Sequence, residues 1–214
     1  MKYKAIIFDL DGTLTDTLYD LKESTNYALR QMGWPERSLD EVRQFVGNGV
    51  RRLMERAVPR DAEEMEFVEC FQHFQEHYVE HCQDHTGIYP GIDELLHELK
   101  ARGYKMAIVS NKMQAGVDEL YQTFFSETID FAIGETAELR RKPFPDMVYA
   151  ALDNLGVKPE EAVYVGDSEV DMATARNAGL PCISVLWGFR DQDYLREIGA
   201  FRMVETPQEI LDLV

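Results

Sequence analysis

Three observations predict an α/β fold, a parallel sheet wrapped by helices and opened after its first strand to admit a helical insert. An apolar run, Ala5-Ile6-Ile7-Phe8, gives way abruptly to paired carboxylates and a glycine, Asp9-Leu10-Asp11-Gly12. From residue 92 onward, short apolar runs alternate with amphipathic stretches. The segment between carries Glu, Gln, Arg and His at helical spacing and almost no strand-like run. Strands separated by helices imply right-handed crossovers and a sheet covered on both faces, a Rossmann-like core. The organisation that follows is a core of residues 1–15 and 86–214 and an α-helical insert of residues 16–85.

The elements follow in order. Ala5 to Phe8 is a buried strand. Leu18, Leu21, Thr25 and Leu29 mark one face of a helix that Gly33-Trp34-Pro35 ends. Ser38 with Glu41 three residues on forms a capping box for the next helix. Residues 61–83 form a longer helix, and Met54, Met65, Phe67, Phe71 and Phe74 are expected in the core of the insert. The breaker-rich Asp84 to Gly91 returns the chain to the sheet. Ile92 to Arg102 is then a helix, Met106 to Val109 a strand, Gln114 to Phe124 a helix and Phe131 to Ile133 a short strand. Pro145 to Leu155 is a helix closed by Gly156, and Ala162 to Val165 a strand. Asp171 to Ala178 is a helix closed by Gly179, and Cys182 to Leu186 a strand.

Composition narrows the partners. Thirty-nine acidic against 22 basic residues give a formal charge of −17, which argues against nucleic acid and anionic membranes, since both need a basic face. No apolar run reaches membrane-helix length, no signal peptide precedes the first strand, and three scattered cysteines suit reduced thiols. A cytoplasmic protein, monomeric or a weak homodimer, is expected. His73, His77, His81 and His85 recur every fourth residue, a spacing able to bind zinc; the Gln and Glu around them favour a solvated helix face. Arg140 and Arg141 are either surface charges or part of a positive field for an anionic substrate.

A buried strand that ends in two acids is costly unless a cation or a phosphate sits there. Ligands of open parallel sheets bind at the carboxyl ends of the strands. The residues after each predicted strand are Asp9, Asp11 and Gly12; Ser110, Asn111 and Lys112; a loop to Lys142-Pro143; and Gly166-Asp167-Ser168-Glu169-Val170-Asp171. Each group alone has an ordinary structural reading, as a turn, a cap or a surface loop. Together at one rim they form a plausible phosphoryl-transfer set. Asp9 and Asp167 supply carboxylates for Mg²⁺, which prefers hard oxygen ligands. A carboxylate can act as nucleophile and a second as acid and base. Lys142 offsets negative charge, and Ser110 and Asn111 donate to phosphate oxygens.

These four segments resemble the signatures of the haloacid dehalogenase superfamily, and the likeness spans essentially the whole chain. The resemblance implies Asp9 as nucleophile and Mg²⁺ ligand, and Asp11 as general acid/base whose main-chain carbonyl also reaches the metal. It implies Ser110, Asn111, Lys142 and Gly12 around the phosphate, Asp167 as a metal ligand, and Asp171 as support for the metal's waters or for Lys142. The second acid, Asp11, points to phosphate chemistry rather than carbon–halogen cleavage.

Within the superfamily the chain looks like the phosphoglycolate phosphatase-like group. Val46-Gly47-Asn48-Gly49-Val50-Arg51 resembles its specificity loop, with Gly47, Asn48, Gly49 and Arg51 expected near the far end of the substrate. Tyr89-Pro90-Gly91 and Leu186-Trp187-Gly188-Phe189 also fit. The expected activity is Mg²⁺-dependent hydrolysis of a small phosphorylated metabolite. The alternatives are a sugar-phosphate mutase or a pyrophosphatase with the same chemistry, or a non-catalytic binding or regulatory protein on this fold.

Overall fold

In the computed structural model, which describes residues 3–214, the chain divides into two compact units, Met1–Leu14 with Ile88–Val214 and Thr15–Gly87. The strands are β1 (Ala5–Phe8), β2 (Thr15–Asp16), β3 (Gly87–Ile88), β4 (Lys105–Met113), β5 (Phe131–Glu135), β6 (Ala162–Gly166), β7 (Cys182–Val185) and β8 (Met203–Val204). Six of them form one parallel sheet in the order β5-β4-β1-β6-β7-β8, while β2 and β3 pair separately. β1 lies in the middle, with Ile6 opposite Met106 and Val163 and Phe8 opposite Ile108 and Val165.

That position explains why β1 is apolar at every residue. Successive strand side chains point to opposite faces, and both faces here are covered. Ile6 and Phe8 pack with Leu95, Leu96 and Leu99 of α5 (Ile92–Ala101). Ala5 and Ile7 join Ala107, Val109 and Tyr164 beneath α7 (Asp146–Leu155) and α8 (Glu169–Ala178). The chain order that builds this sheet also brings the ends of β1, β4 and β6 side by side.

The boundaries differ from the sequence reading in instructive places. The strand expected to stop at Val109 runs on to Met113, because Ser110, Asn111 and Lys112 are buried although polar. The helix expected from Asp171 begins at Glu169. The helix after Met113 is α-helical only over Gln114–Leu120 (α6) and continues as a π-helical turn, Tyr121–Phe125. Elements not read from sequence follow β7: α9 (Gln192–Glu197), β8 and a closing 3₁₀ segment, Pro207–Asp212.

The second unit is helical: α1 (Leu18–Gln31), α2 (Leu39–Phe45), α3 (Gly49–Ala57) and α4 (Glu64–His81). The capping box forms as the spacing predicts, Glu41 N donating to Ser38 Oγ at 3.3 Å and Ser38 N to Glu41 Oε2 at 2.8 Å. Phe67, Cys70 and Phe74 form the buried face of α4, and the rings of Phe67, Phe71, Phe74 and Tyr78 stack along it. Met65 is a correction: it is 79% exposed, on the opposite face of α4 with Val68 and Val79. Met65 precedes Phe67 by two residues, about 200° around a 3.6-residue helix, so the two cannot share one buried stripe. No helix among the described residues is long and apolar enough to cross a membrane.

Candidate active site

Asp9 leaves the end of β1 with its main-chain N–H still donating to the Val165 carbonyl at 2.9 Å, so its carboxylate is carried on the sheet itself. Lys142 Nζ stands between two acids, 2.7 Å from Asp9 Oδ1 and 2.8 Å from Asp171 Oδ1. It also donates to the Tyr164 hydroxyl at 3.2 Å, and that hydroxyl lies 3.2 Å from Asp171 Oδ1. The other Asp171 oxygen accepts from Ser168 N at 3.1 Å and from Ser168 Oγ at 2.6 Å. Asp167 Oδ2 accepts from the main-chain N–H of Phe189 at 2.7 Å, with Thr13 Oγ1 at 3.4 Å from Oδ1. Asp9, Asp167 and Asp171 each bring an oxygen within 4.8 Å of the others, and all three are buried.

Three buried carboxylates face one buried lysine. Burial pushes Asp9 well above the ordinary carboxylate range and the charge of Asp171 pushes it further, against the pull of Lys142. Asp167 is pushed up to about 7, chiefly by burial and then by Asp171, with the Phe189 N–H opposing. Burial works to strip the proton from Lys142, but the charges of Asp171 and Asp9 outweigh it and hold it more basic than a free lysine. Such a group of acids is short of positive charge, and a hard divalent cation with oxygen ligands is the species that fits. Both oxygens of Asp171 are already engaged by Lys142, Tyr164 and Ser168, so Asp9 and Asp167 are the acids with capacity to hold it.

The β4 end adds polar groups at the same rim. Asn111 Nδ2 donates to the Lys142 carbonyl at 3.2 Å, while its buried Oδ1 has no partner. Ser110 Oγ accepts from Lys112 N at 3.1 Å. Lys112 Nζ lies 3.4 Å from Asp11 Oδ1 and is itself buried, placing a second ammonium beside the second acid. The backbone around Asp167 is packed so closely that side chains are excluded. Gly12 has φ +89°, and a Cβ there would lie 2.7 Å from Asp167 Oδ2. A Cβ on Gly188 would lie 2.3 Å from Asp167 Cβ and 2.4 Å from the Gly12 carbonyl.

The structure thus brings together Asp9, Gly12, Ser110, Asn111, Lys142, Asp167 and Asp171, with Asp11 beside Lys112. Lys112 was expected at this rim but without a role, and the Leu186–Phe189 segment was expected to fit without a stated contact; the structure puts Lys112 beside Asp11 and the Phe189 N–H on Asp167. Tyr164 escaped sequence reasoning, since it looked like one more apolar strand residue. Gly47, Asn48, Gly49 and Arg51 belong to the helical unit. There Arg51 pairs with Glu55 at 3.2 Å and lies 5.0 Å over the Phe67 ring. Arg140 is committed to Asp146, at 2.8 and 3.0 Å, and lies over Phe144, a surface arrangement. Arg141 is exposed, 3.9 Å from Glu135.

Comparison with known proteins bears on the family and the fold. The profile of the family described as haloacid dehalogenase-like hydrolase matches residues 6–185. A phosphoglycolate phosphatase of Aquifex aeolicus is 35% identical over 188 residues, 87% of this chain and 86% of its own. One from Psychrobacter arcticus is 31% identical over 220 residues, 99% of this chain and 96% of its own. The crystal structure of a candidate phosphoglycolate phosphatase from Lactobacillus delbrueckii subsp. bulgaricus superposes with a TM-score of 0.95 at 36% identity, covering 100% of this chain and 98% of that one. By its strand order, its acids at the strand ends and these relatives, the chain belongs to the haloacid dehalogenase-like hydrolase family.

Proposed function

We propose that this protein is a Mg²⁺-dependent phosphatase that hydrolyses 2-phosphoglycolate through an aspartyl-phosphate on Asp9. The observation that carries the reading is the setting of Asp9, a buried carboxylate 2.7 Å from Lys142 and grouped with Asp167. The names of the relatives in two bacteria support the substrate.

In this reading an Asp9 oxygen attacks phosphorus, and the bond from phosphorus to the glycolate oxygen breaks. Asp11 delivers a proton to the departing oxygen, then takes one from the water that cleaves the acyl phosphate and frees inorganic phosphate. Lys142 offsets charge on Asp9 as the phosphoryl group arrives, and Ser110 and Asn111 donate to the phosphoryl oxygens. Held by Asp9, Asp167 and the Asp11 carbonyl, Mg²⁺ would supply charge neutralisation on the nucleophile and the transferring group. The helical unit is read as the cap that selects the substrate, through Gly47, Asn48, Gly49 and Arg51.

The test is a hydrolysis screen over phosphoglycolate, sugar phosphates, nucleotides, pyrophosphate and an aryl phosphate, with and without Mg²⁺. The expected result is Mg²⁺-dependent phosphate release with phosphoglycolate giving the highest kcat/KM, abolished in Asp9→Asn. A higher kcat/KM on another compound overturns the substrate, an isomerised sugar phosphate as product overturns hydrolysis, and no turnover on the whole panel overturns the enzyme.

A further inference from the structure

The chain between β7 and α9, residues 186–191, forms neither helix nor strand, yet it is fastened to the strand ends at three points. Trp187 Nε1 donates to the Thr13 carbonyl at 3.0 Å. The Phe189 N–H donates to Asp167 Oδ2 at 2.7 Å. Arg190 forks onto Glu169, Nε to Oε2 at 2.7 Å and Nη2 to Oε1 at 3.0 Å. Asp167 follows β6 directly and Glu169 opens α8, so the two acids are two residues apart, while the two groups that bind them come from neighbouring residues. The fork on Glu169 therefore fixes the residue next to the N–H that holds Asp167. Phe189 is buried on the other side, its ring so close to Gly12 that a Cβ there would lie 2.8 Å from it.

We propose that Arg190 and Glu169 are positioning residues for the metal: their ion pair keeps the Phe189 N–H on Asp167 Oδ2, so that Asp167 presents Oδ1 to the ion. The inference rests on the reading of Asp167 as a Mg²⁺ ligand and extends it to two side chains that act through another residue. Oδ1 has Thr13 Oγ1 at 3.4 Å, a weak contact, whereas Oδ2 is firmly held. Outer partners of this kind orient a ligating carboxylate and tune its hold on the ion. A loop supplies such a partner dependably only when it is tied down. A two-point arginine–carboxylate fork gives direction as well as strength, and the Arg190 side chain is only 10% exposed. Charge alone argues the opposite way. A guanidinium near the site repels a divalent cation, so if Arg190 acted only by its charge, removing it would tighten metal binding. Positioning predicts weaker binding, and the sign separates the two.

The test is titration of the full-length protein with Mn²⁺, which takes the same oxygen ligands as Mg²⁺, with free Mn²⁺ followed by electron paramagnetic resonance. Wild type is compared with Asp167→Asn, Arg190→Met, Arg190→Lys, Glu169→Gln and the double variant Arg190→Met/Glu169→Gln, with circular dichroism to verify folding. The expected result is Mn²⁺ binding in wild type, lost in Asp167→Asn and weakened ~10-fold or more in each single variant of the pair. The double variant should bind no more weakly than the weaker single one, as two groups acting through one contact do. Glu169→Gln changes a partly exposed side chain, so it reports even where Arg190→Met loosens the loop. Amide hydrogen exchange of the metal-free protein gives a second reading: the Phe189 N–H is protected in wild type and loses that protection in Arg190→Met. Unchanged or tighter Mn²⁺ binding in Arg190→Met, additive losses in the double variant, or unchanged Phe189 protection overturns the proposal and leaves the Mg²⁺ reading standing. No Mn²⁺ uptake by wild type, or uptake unaffected by Asp167→Asn, overturns the Mg²⁺ reading and this proposal with it.

Discussion

Lys142 is shared between Asp9 and Asp171, and the two acids are not equivalent. Asp171 is fully buried and has both oxygens hydrogen-bonded, so it anchors. Asp9 has one oxygen on Lys142 and is carried at the open end of its strand. Replacing Asp171 by Asn keeps the shape and removes the charge that holds the ammonium in place. In Asp171→Asn we expect kcat/KM on an aryl phosphate to fall ~10–100-fold, the usual effect of removing an outer partner of a working group. A circular dichroism spectrum like that of wild type should accompany the loss. Unchanged kcat/KM would mean that Asp9 alone suffices to place Lys142. At this scale the sequence was uneven. Asp9 and Asp11 were legible because paired acids after an apolar run need a physical reason. Lys142 was legible only jointly with the acids at the other strand ends and then through the family resemblance, since Lys-Pro alone ordinarily reads as a surface loop and its burial comes from Asp9, Tyr164 and Asp171, which lie far from it in sequence. Tyr164 was not legible, because where a phenol on a buried strand sends its hydroxyl is a tertiary fact.

Among the elements, the helical unit depends on a buried acid of its own. Asp20 of α1 is 2% exposed and accepts from His85 N, His85 Nδ1, Thr86 N and Thr86 Oγ1 at 2.8–3.1 Å. These bonds tie the first helix of the unit to the segment that ends it. In Asp20→Asn the amide nitrogen meets donors where a carboxylate oxygen accepted them, so at least two bonds are lost from a buried position. We expect a loss of about 2–4 kcal/mol in urea unfolding, measured with chelator present. If the two units unfold separately, only one transition should move. A shift below 0.5 kcal/mol, on the order of an ordinary surface change, would show that the contact is dispensable. The helices themselves were readable, because their spacing and the Ser38 box act locally. Asp20 was not, because its partners are 65 and 66 residues away. The extension of β4 past Val109 was missed for a related reason: hydrophobicity marks burial by apolar packing, and Ser110 to Lys112 are buried by polar contacts at the site instead.

For the whole molecule, we expect the acids at the strand ends to make stability depend on pH and, where the proposed Mg²⁺ binds, on that ion. The chain carries a formal charge of −17, and among the described residues Asp9, Asp167 and Asp171 form a buried group of acids whose oxygens lie within 4.8 Å of one another. In the folded protein Asp167 titrates at about 7 against an ordinary 3.8, and Asp9 is raised in the same direction. Between those two values the folded state keeps protons that the unfolded chain has released. By linkage, Asp167 makes the metal-free protein lose stability as pH rises from about 4 to about 7, and Asp9, raised in the same direction, adds to the loss. A cation bound by Asp9 and Asp167 needs them ionised, so it competes with protons at low pH and relieves the repulsion at high pH. The expected result in scanning calorimetry is a larger rise in Tm on adding Mg²⁺ at about pH 8 than at about pH 5, where protons occupy the site. Exposed carboxylates shift Tm with pH as well, but K⁺ at matched ionic strength screens them equally, so the comparison isolates the site. Asp167→Asn should shrink the Mg²⁺-dependent rise at the higher pH. An equal rise at both pH values, or one that K⁺ reproduces, would place the effect in general screening and not in these three acids.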